Sequence, residues 1–116
     1  MIAFSPAMVL FLLLAGHAVA DFSLQNDYVA NAKNRNTPHG KDVWWMVLPA
    51  HALIHGAMVA LVTGSVVLAL LETIFHGMID FAKCDGEIGY AADQIMHVVC
   101  KFVWWTAWLM LIYPAG

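Results

Sequence analysis

Long apolar runs are the feature of this chain that most restricts its fold. Residues 2–20 are almost wholly apolar, and further apolar stretches cover about residues 43–62, 65–82 and 90–113. About 20 apolar residues is the length that a helix needs to cross the hydrocarbon core of a bilayer. Only 11% of the 116 residues are charged, which is too few to cover the surface of a soluble domain of this size. The pattern therefore predicts an all-α, polytopic membrane protein.

Turn signals divide this single domain, residues 1–116, into four helices. Pro49 fits best in the first turn of a helix, so the second helix is expected to begin there, and Gly64 marks a tight break. The neighbouring Trp44 and Trp45 are typical of an interfacial anchor. The predicted helices cover about residues 3–21, 49–63, 65–82 and 90–113, and a polar loop covers 22–43, with a short surface helix within 24–32. Short connections predict an antiparallel four-helix transmembrane bundle.

Basic residues set the expected orientation. No Lys or Arg precedes Lys33, so the first apolar run lacks the charged start of a secretory signal and is expected to remain as a helix. The first connection carries Lys33, Arg35 and Lys41, and the third carries Lys83, whereas the second has no basic residue. The positive-inside rule then predicts that the first and third connections face the cytoplasm and that both termini face away from it.

Polar residues inside the apolar helices occur in pairs four residues apart. There is one pair in each predicted helix: His17 with Asp21, His51 with His55, His76 with Asp80, and Asp93 with His97. Side chains at i and i+4 lie on one helix face, the arrangement that helical zinc sites use to offer two ligands to one ion. In an antiparallel bundle the four pairs lie at the same end, so we expect them to meet in one layer near the cytoplasmic face.

The chemistry of these eight residues predicts a metal site. An aspartate inside a membrane costs about 2.5–3.5 kcal/mol on insertion scales, and such residues normally find partners and mark function. Three carboxylates and five imidazoles suit one or two divalent ions, with zinc favoured over manganese and iron. A structural polar network and a proton or ion path are the alternatives.

Two charged residues extend the same helix faces. Glu72 precedes His76 by four residues, and Lys101 follows His97 by four. Glu72 would serve as a hydrogen-bond partner of a ligating histidine or as a proton shuttle, and Lys101 would balance charge or hold an anionic substrate. Pairing with other polar groups inside the bundle, for stability alone, is the competing interpretation of both.

The remaining candidate residues are assigned no chemistry. His39 has no partner four residues away and is expected at the surface, while Cys84 and Cys100 are expected to be reduced packing residues. The chain has a net charge of −3 and no basic tract, so nucleic acid is not an expected partner.

The four paired motifs, in this order, resemble a family of small bacterial and phage membrane proteins known as domain of unknown function 3307. The residues that carry the resemblance lie at 17–25, 51–56, 76–83 and 92–97. The resemblance implies a location in the bacterial inner membrane. More distantly, histidine and aspartate pairs in hydrophobic helices are similar to those of membrane-bound metal-dependent hydrolases, and through these to the zinc-dependent phospholipase C and nuclease superfamily.

These resemblances imply a metal-dependent hydrolase that acts on a phosphoester or lipid at the cytoplasmic face. Asp93 is the candidate general base, Glu72 a further catalytic candidate, and Lys83, with Lys33 or Arg35, the candidate to hold phosphate. Membrane lipid is the expected partner, and the oligomeric state is left open. The rival hypothesis is a non-catalytic metal-binding module that acts as a scaffold, sensor or small transporter.

Overall fold

The computed structural model describes residues 4–114, and these residues are helical apart from short connections. Helix α1 covers Pro6–Ala18 and continues as one π-helical segment, Val19–Ser23. The other helices are α2 (Asp27–Ala32), α3 (Gly40–Thr63), α4 (Val66–Cys84) and α5 (Tyr90–Ile112). The first predicted helix was expected to begin at residue 3, which lies outside the described residues.

The four long helices form a closed bundle. Helix α1 packs against α3 and α5, and α4 packs against the same two helices. Chain direction alternates around the bundle, because α1 and α4 run from the apolar core toward the paired polar residues, whereas α3 and α5 run away from them. The antiparallel arrangement expected from short connections is therefore the one observed.

An apolar core fills one half of the bundle. Every long helix contributes to it, and its buried members are Val9, Leu13, Val59, Leu68, Trp104 and Trp108. At this end α3 stops at Gly64, whose φ of 69° is a left-handed conformation that suits glycine. Ser65 then caps α4 by accepting a hydrogen bond from the Leu68 backbone N–H, so a very short link joins two closely packed helices.

Close contact between α3 and α4 depends on Gly56. A Cβ at this position would lie 2.1 Å from Thr73 Oγ1 and 2.8 Å from the Ala69 carbonyl oxygen. The absence of a side chain lets the two backbones approach, as small residues do between membrane helices. The histidines of α3, one residue before Gly56 and five residues before it, are thereby held against α4.

The second long helix begins earlier than expected. Its first residue is Gly40, and Pro49 lies inside the helix. The early start is stabilised by Thr37, whose hydroxyl accepts a hydrogen bond from the Gly40 N–H at 2.9 Å. Proline removes only one backbone hydrogen bond, and membrane helices tolerate this loss. The polar loop expected over 22–43 is correspondingly shorter and contains the short helix α2.

Three helices are long and apolar enough to cross a membrane: the segment Pro6–Ser23, α3 and α5. Helix α4 is not among them, because Glu72, Asp80 and Lys83 fall within its 19 residues. The outer surface carries large exposed apolar side chains, among them Phe11, Leu61 and Met110, each at least 63% exposed. Soluble monomers rarely present such extensive apolar surface. The described residues thus match a multi-pass membrane protein with three candidate spans.

Candidate metal centre

All eight paired residues are buried and meet in the middle of the bundle. None has more than 8% of its surface exposed: His17, Asp21, His51, His55, His76, Asp80, Asp93 and His97. Each long helix supplies two of them, as the spacing predicts. The π-helical segment carries Asp21, and such segments recur at functional sites. We call this set the polar layer.

Asp21 lies among three imidazoles. Its Oδ1 atom is 3.1 Å from His55 Nε2, 3.3 Å from His51 Nε2 and 3.7 Å from His76 Nε2. The Nε2 atoms of His51 and His76 are themselves 3.3 Å apart. These four ligand atoms come from three different helical segments and all lie within 4.8 Å of one another. They therefore lie close enough together to bind a single metal ion.

Asp80 forms a second centre in the polar layer. Its Oδ1 is 3.1 Å from His97 Nε2, and its Oδ2 is 3.3 Å from His51 Nε2 and 3.4 Å from His76 Nε2. The same Oδ2 accepts a hydrogen bond from Lys33 Nζ at 2.7 Å. Asp80 thus joins the imidazoles of three helices to a cation from the first connection.

The third carboxylate, Asp93, has one oxygen to spare. Asp93 Oδ1 is buried, accepts no hydrogen bond among the described residues and lies 3.2 Å from His97 Nε2. Its Oδ2 accepts a hydrogen bond from the amide of Gln94 at 3.1 Å. Asp93 and His97 also belong to one compact group of ligand atoms with Asp21, so a cation bound there would contact the Asp93 carboxylate.

Gln94 contacts three residues of the polar layer, and the sequence pattern did not reveal it. Its Nε2 donates to Asp21 Oδ2 at 3.0 Å as well as to Asp93, and its Oε1 is 3.1 Å from His17 Nε2. One amide therefore aligns two carboxylates and an imidazole. The i,i+4 pattern could not detect it, because Gln94 lies next to Asp93 rather than a turn away.

The distances between ligand atoms fit a metal ion. Zinc–nitrogen and zinc–oxygen bonds of about 2.0–2.1 Å in a tetrahedron place neighbouring ligand atoms about 3.3–3.4 Å apart. Four of the six separations among the ligand atoms of Asp21, His51, His55 and His76 are 3.1, 3.3, 3.3 and 3.7 Å. Ligand atoms of His76, Asp80 and His97, and of Asp21, Asp93 and His97, form two further compact groups. Because the three groups share Asp21, His76 and His97, they form one continuous cluster of ligand atoms.

Lysine alone does not balance the charge of this region. Four carboxylates are buried, the three of the polar layer and Glu72, against two buried ammonium groups, Lys33 and Lys101. With neutral imidazoles this region carries two uncompensated negative charges. One bound divalent cation would balance them, and so would two protonated imidazoles.

The charged extensions of the polar layer pair with each other. Glu72 Oε1 accepts a hydrogen bond from Lys101 Nζ at 2.6 Å, and Glu72 Oε2 accepts one from the indole N–H of Trp104. Glu72 Oε1 also lies 3.5 Å from His76 Nδ1. Glu72 therefore stands behind His76, on the side away from the other ligand atoms, while Lys101 is bound to Glu72.

The structure separates the three basic candidates for phosphate binding. Lys33 is only 4% exposed and contacts the polar layer through Asp80. Arg35 instead donates two hydrogen bonds to Asp85, at 3.0 and 2.6 Å. Lys83 forms no ion pair among the described residues, and its ammonium lies 5.3 Å from the centre of the Tyr90 ring. Of the basic residues proposed to hold phosphate, only Lys33 reaches the polar layer.

The contact between Arg35 and Asp85 fastens the first connection to the end of α4. Hydrogen bonding to Arg35, with a second bond from Asn36, lowers the pKa of Asp85, and the same contact raises the pKa of Arg35. Asn36 also donates to the Cys84 carbonyl oxygen. The segment that carries Lys33 is thereby fixed over the polar layer.

The residues without an assigned chemistry lie outside the polar layer. His39 is exposed, and its Nε2 lies 3.3 Å from the Tyr28 hydroxyl. Cys84 and Cys100 are both free and half-buried. These positions match the surface and packing roles expected for them.

The match to a known family covers nearly the whole chain. The family model for proteins of unknown function DUF3307 matches residues 9–113, and the chain therefore belongs to that family. No curated protein and no solved structure matches the chain.

Proposed function

For this member of the DUF3307 family, we propose a membrane-embedded, metal-dependent hydrolase that acts on a phosphoester. The observation that carries the proposal is the set of converging ligand atoms with the spacing of a metal coordination shell, beside a buried lysine. A divalent ion in such a centre activates water as a nucleophile and withdraws charge from a phosphoryl group. Zinc is the favoured ion, with manganese and iron as alternatives, and one or two ions are proposed.

The protein side chains have distinct proposed roles. The eight residues of the polar layer hold the metal, and Asp93, whose Oδ1 accepts no hydrogen bond, is the candidate to take a proton from the attacking water. Lys33 is the candidate to contact a phosphoryl oxygen, because its ammonium already lies beside Asp80. Glu72 orients His76 rather than contacting substrate.

The proposed location rests on the positions of the basic residues in the connections. We propose the inner membrane of a bacterium, with the connection that carries Lys33 and Arg35 on the cytoplasmic side and both termini on the other. The polar layer is then reached from the cytoplasmic half of the bilayer. Phosphoesters carried by lipids or dissolved in the cytoplasm are the substrates available there.

A non-catalytic metal-binding module is the second candidate function. The observation that favours it is the number of ligands, because eight side chains suffice to complete the tetrahedral coordination of two zinc ions. A catalytic ion needs an open position. A scaffold or sensor would bind metal as tightly as the hydrolase but would not turn over any ester.

Turnover separates the two candidates. Zinc-loaded protein in detergent is expected to hydrolyse bis-p-nitrophenyl phosphate, and Lys33→Met is expected to lower kcat/KM by about 100-fold, the usual effect of removing one charge-stabilising donor. Lys41→Met is the matched control, since Lys41 is an exposed basic residue at the start of α3 and forms no ion pair among the described residues. Its kcat/KM is expected to stay near that of the wild type. Zinc content and thermal unfolding are measured for both variants, because Lys33→Met also breaks the buried ion pair with Asp80. Folded, zinc-loaded wild type with no turnover would reject the hydrolase and leave the module.

A further inference from the structure

An apolar groove runs along the surface beside the polar layer. Its volume is about 230 Å³, and it lies between the α2 side of the fold and one face of α3. Seven of its eight lining residues are Leu24, Tyr28, Val29, Met46, Val47, Ala50 and Ile54, and the eighth is His51. His51 is thus the one residue that belongs both to the groove and to the polar layer.

The position of the groove favours hydrocarbon as its content. One wall belongs to α3, which is long and apolar enough to cross a membrane, and the lining residues Met46 and Ile54 are themselves exposed. In a bilayer this surface meets acyl chains rather than water. The groove is large enough to receive a segment of one acyl chain.

The groove meets the polar layer at His51. His51 Nε2 and Lys33 Nζ both contact Asp80 Oδ2, at 3.3 and 2.7 Å, so a head group that reaches His51 is close to the Lys33 ammonium and to the proposed metal centre. An apolar groove beside these groups matches an amphiphile with one apolar tail and one anionic phosphate. A dissolved phosphoester has no apolar tail to occupy the groove.

From this juxtaposition we infer that the groove binds an acyl chain of a phospholipid and presents its phosphodiester to the polar layer. The identity of the head group rests on the proposed hydrolase function, whereas the seating of the chain rests on the groove alone. The substrate class is then a membrane phospholipid, which enters sideways from the bilayer.

Filling the groove tests the inference. Ala50→Phe places a ring in the groove, Ala50→Leu fills less of it, and Ala57→Phe is the matched control, since Ala57 is exposed on the same helix but does not line the groove. Each zinc-loaded protein is purified in detergent and titrated with dimyristoyl phosphatidylglycerol, and bound lipid is counted by native mass spectrometry. Because the ring occupies space that the acyl chain would fill and removes packing contacts with it, Ala50→Phe should bind the lipid about tenfold more weakly, with Ala50→Leu intermediate.

The outcomes separate this inference from the proposed function. Equal lipid binding by Ala50→Phe and Ala57→Phe would overturn the groove assignment, even if the wild type hydrolyses bis-p-nitrophenyl phosphate. Weaker binding by both Ala50 variants, with Ala57→Phe like the wild type, would support it, even if the wild type hydrolyses no ester. Thermal unfolding of each variant establishes that the comparison is between folded proteins.

Discussion

Asp80→Asn is expected to destabilise the protein strongly and to reduce its metal content. Asp80 contacts Lys33 at 2.7 Å and the imidazoles of His51, His76 and His97 at 3.1–3.4 Å. Neutralising it leaves a buried ammonium without its counter-charge, and breaking a buried ion pair costs about 3–5 kcal/mol. Thermal unfolding in detergent, followed by circular dichroism with and without zinc, measures the loss.

Asp85→Asn is the matched control for this substitution. Asp85 also pairs with a basic residue of the first connection, Arg35, but the arginine lies at the surface with 47% of its side chain exposed. Because the Arg35 charge is solvated and an asparagine at position 85 can still accept hydrogen bonds from Arg35 and Asn36, the control should unfold near the wild-type temperature and keep its metal. If Asp80→Asn matched Asp85→Asn in both stability and metal content, the contacts of Asp80 with Lys33 and the imidazoles would not be what stabilises the polar layer.

The second large loss of stability is expected for a substitution of Lys101. Lys101→Met leaves Glu72 charged and buried, with its carboxylate bound only by Trp104 and near His76. Because Glu72 and Lys101 are each only 1% exposed, solvent screens the loss little, and the expected destabilisation is about 3–5 kcal/mol. Unfolding with increasing denaturing detergent measures it.

A double substitution identifies the cause of that loss. Glu72→Gln combined with Lys101→Met removes both charges, so most of the stability is expected to return. Lys83→Met serves as the control, since the half-buried Lys83 ammonium only faces the Tyr90 ring, and a small change is expected. A double variant as unstable as Lys101→Met alone would show that the charge pair is not the source of the effect.

The paired residues were predictable because their geometry depends on few assumptions. An i,i+4 spacing places His76 and Asp80 on one face whatever the helix ends are. Alternating helices then bring the four faces together. For this reason the early start of α3 at Gly40 did not disturb the arrangement, although Pro49 had suggested a later start.

Other features depend on contacts that no local pattern encodes. Lys33 enters the polar layer from an irregular connection, and the path of that connection is set by Arg35 and Asn36 binding near the end of α4. Gln94 contributes through its direct neighbour in sequence, outside the helical pairing rule. Lys83 lies three residues after Asp80, yet its side chain turns toward Tyr90. Such contacts form between segments that are distant in sequence, so they could be identified only once the folded structure was known.

The metal content of protein purified in detergent tests the central claim most directly. We expect about one to two equivalents of a divalent transition metal by mass spectrometry, and a marked reduction in a His51→Ala/His55→Ala variant, which removes two of the four residues in the group formed by Asp21, His51, His55 and His76. His39→Ala, a substitution of the exposed histidine, should keep the full content. A folded protein that contains no metal, and takes up none when zinc, manganese or iron is added, would contradict the metal centre and leave a buried polar network.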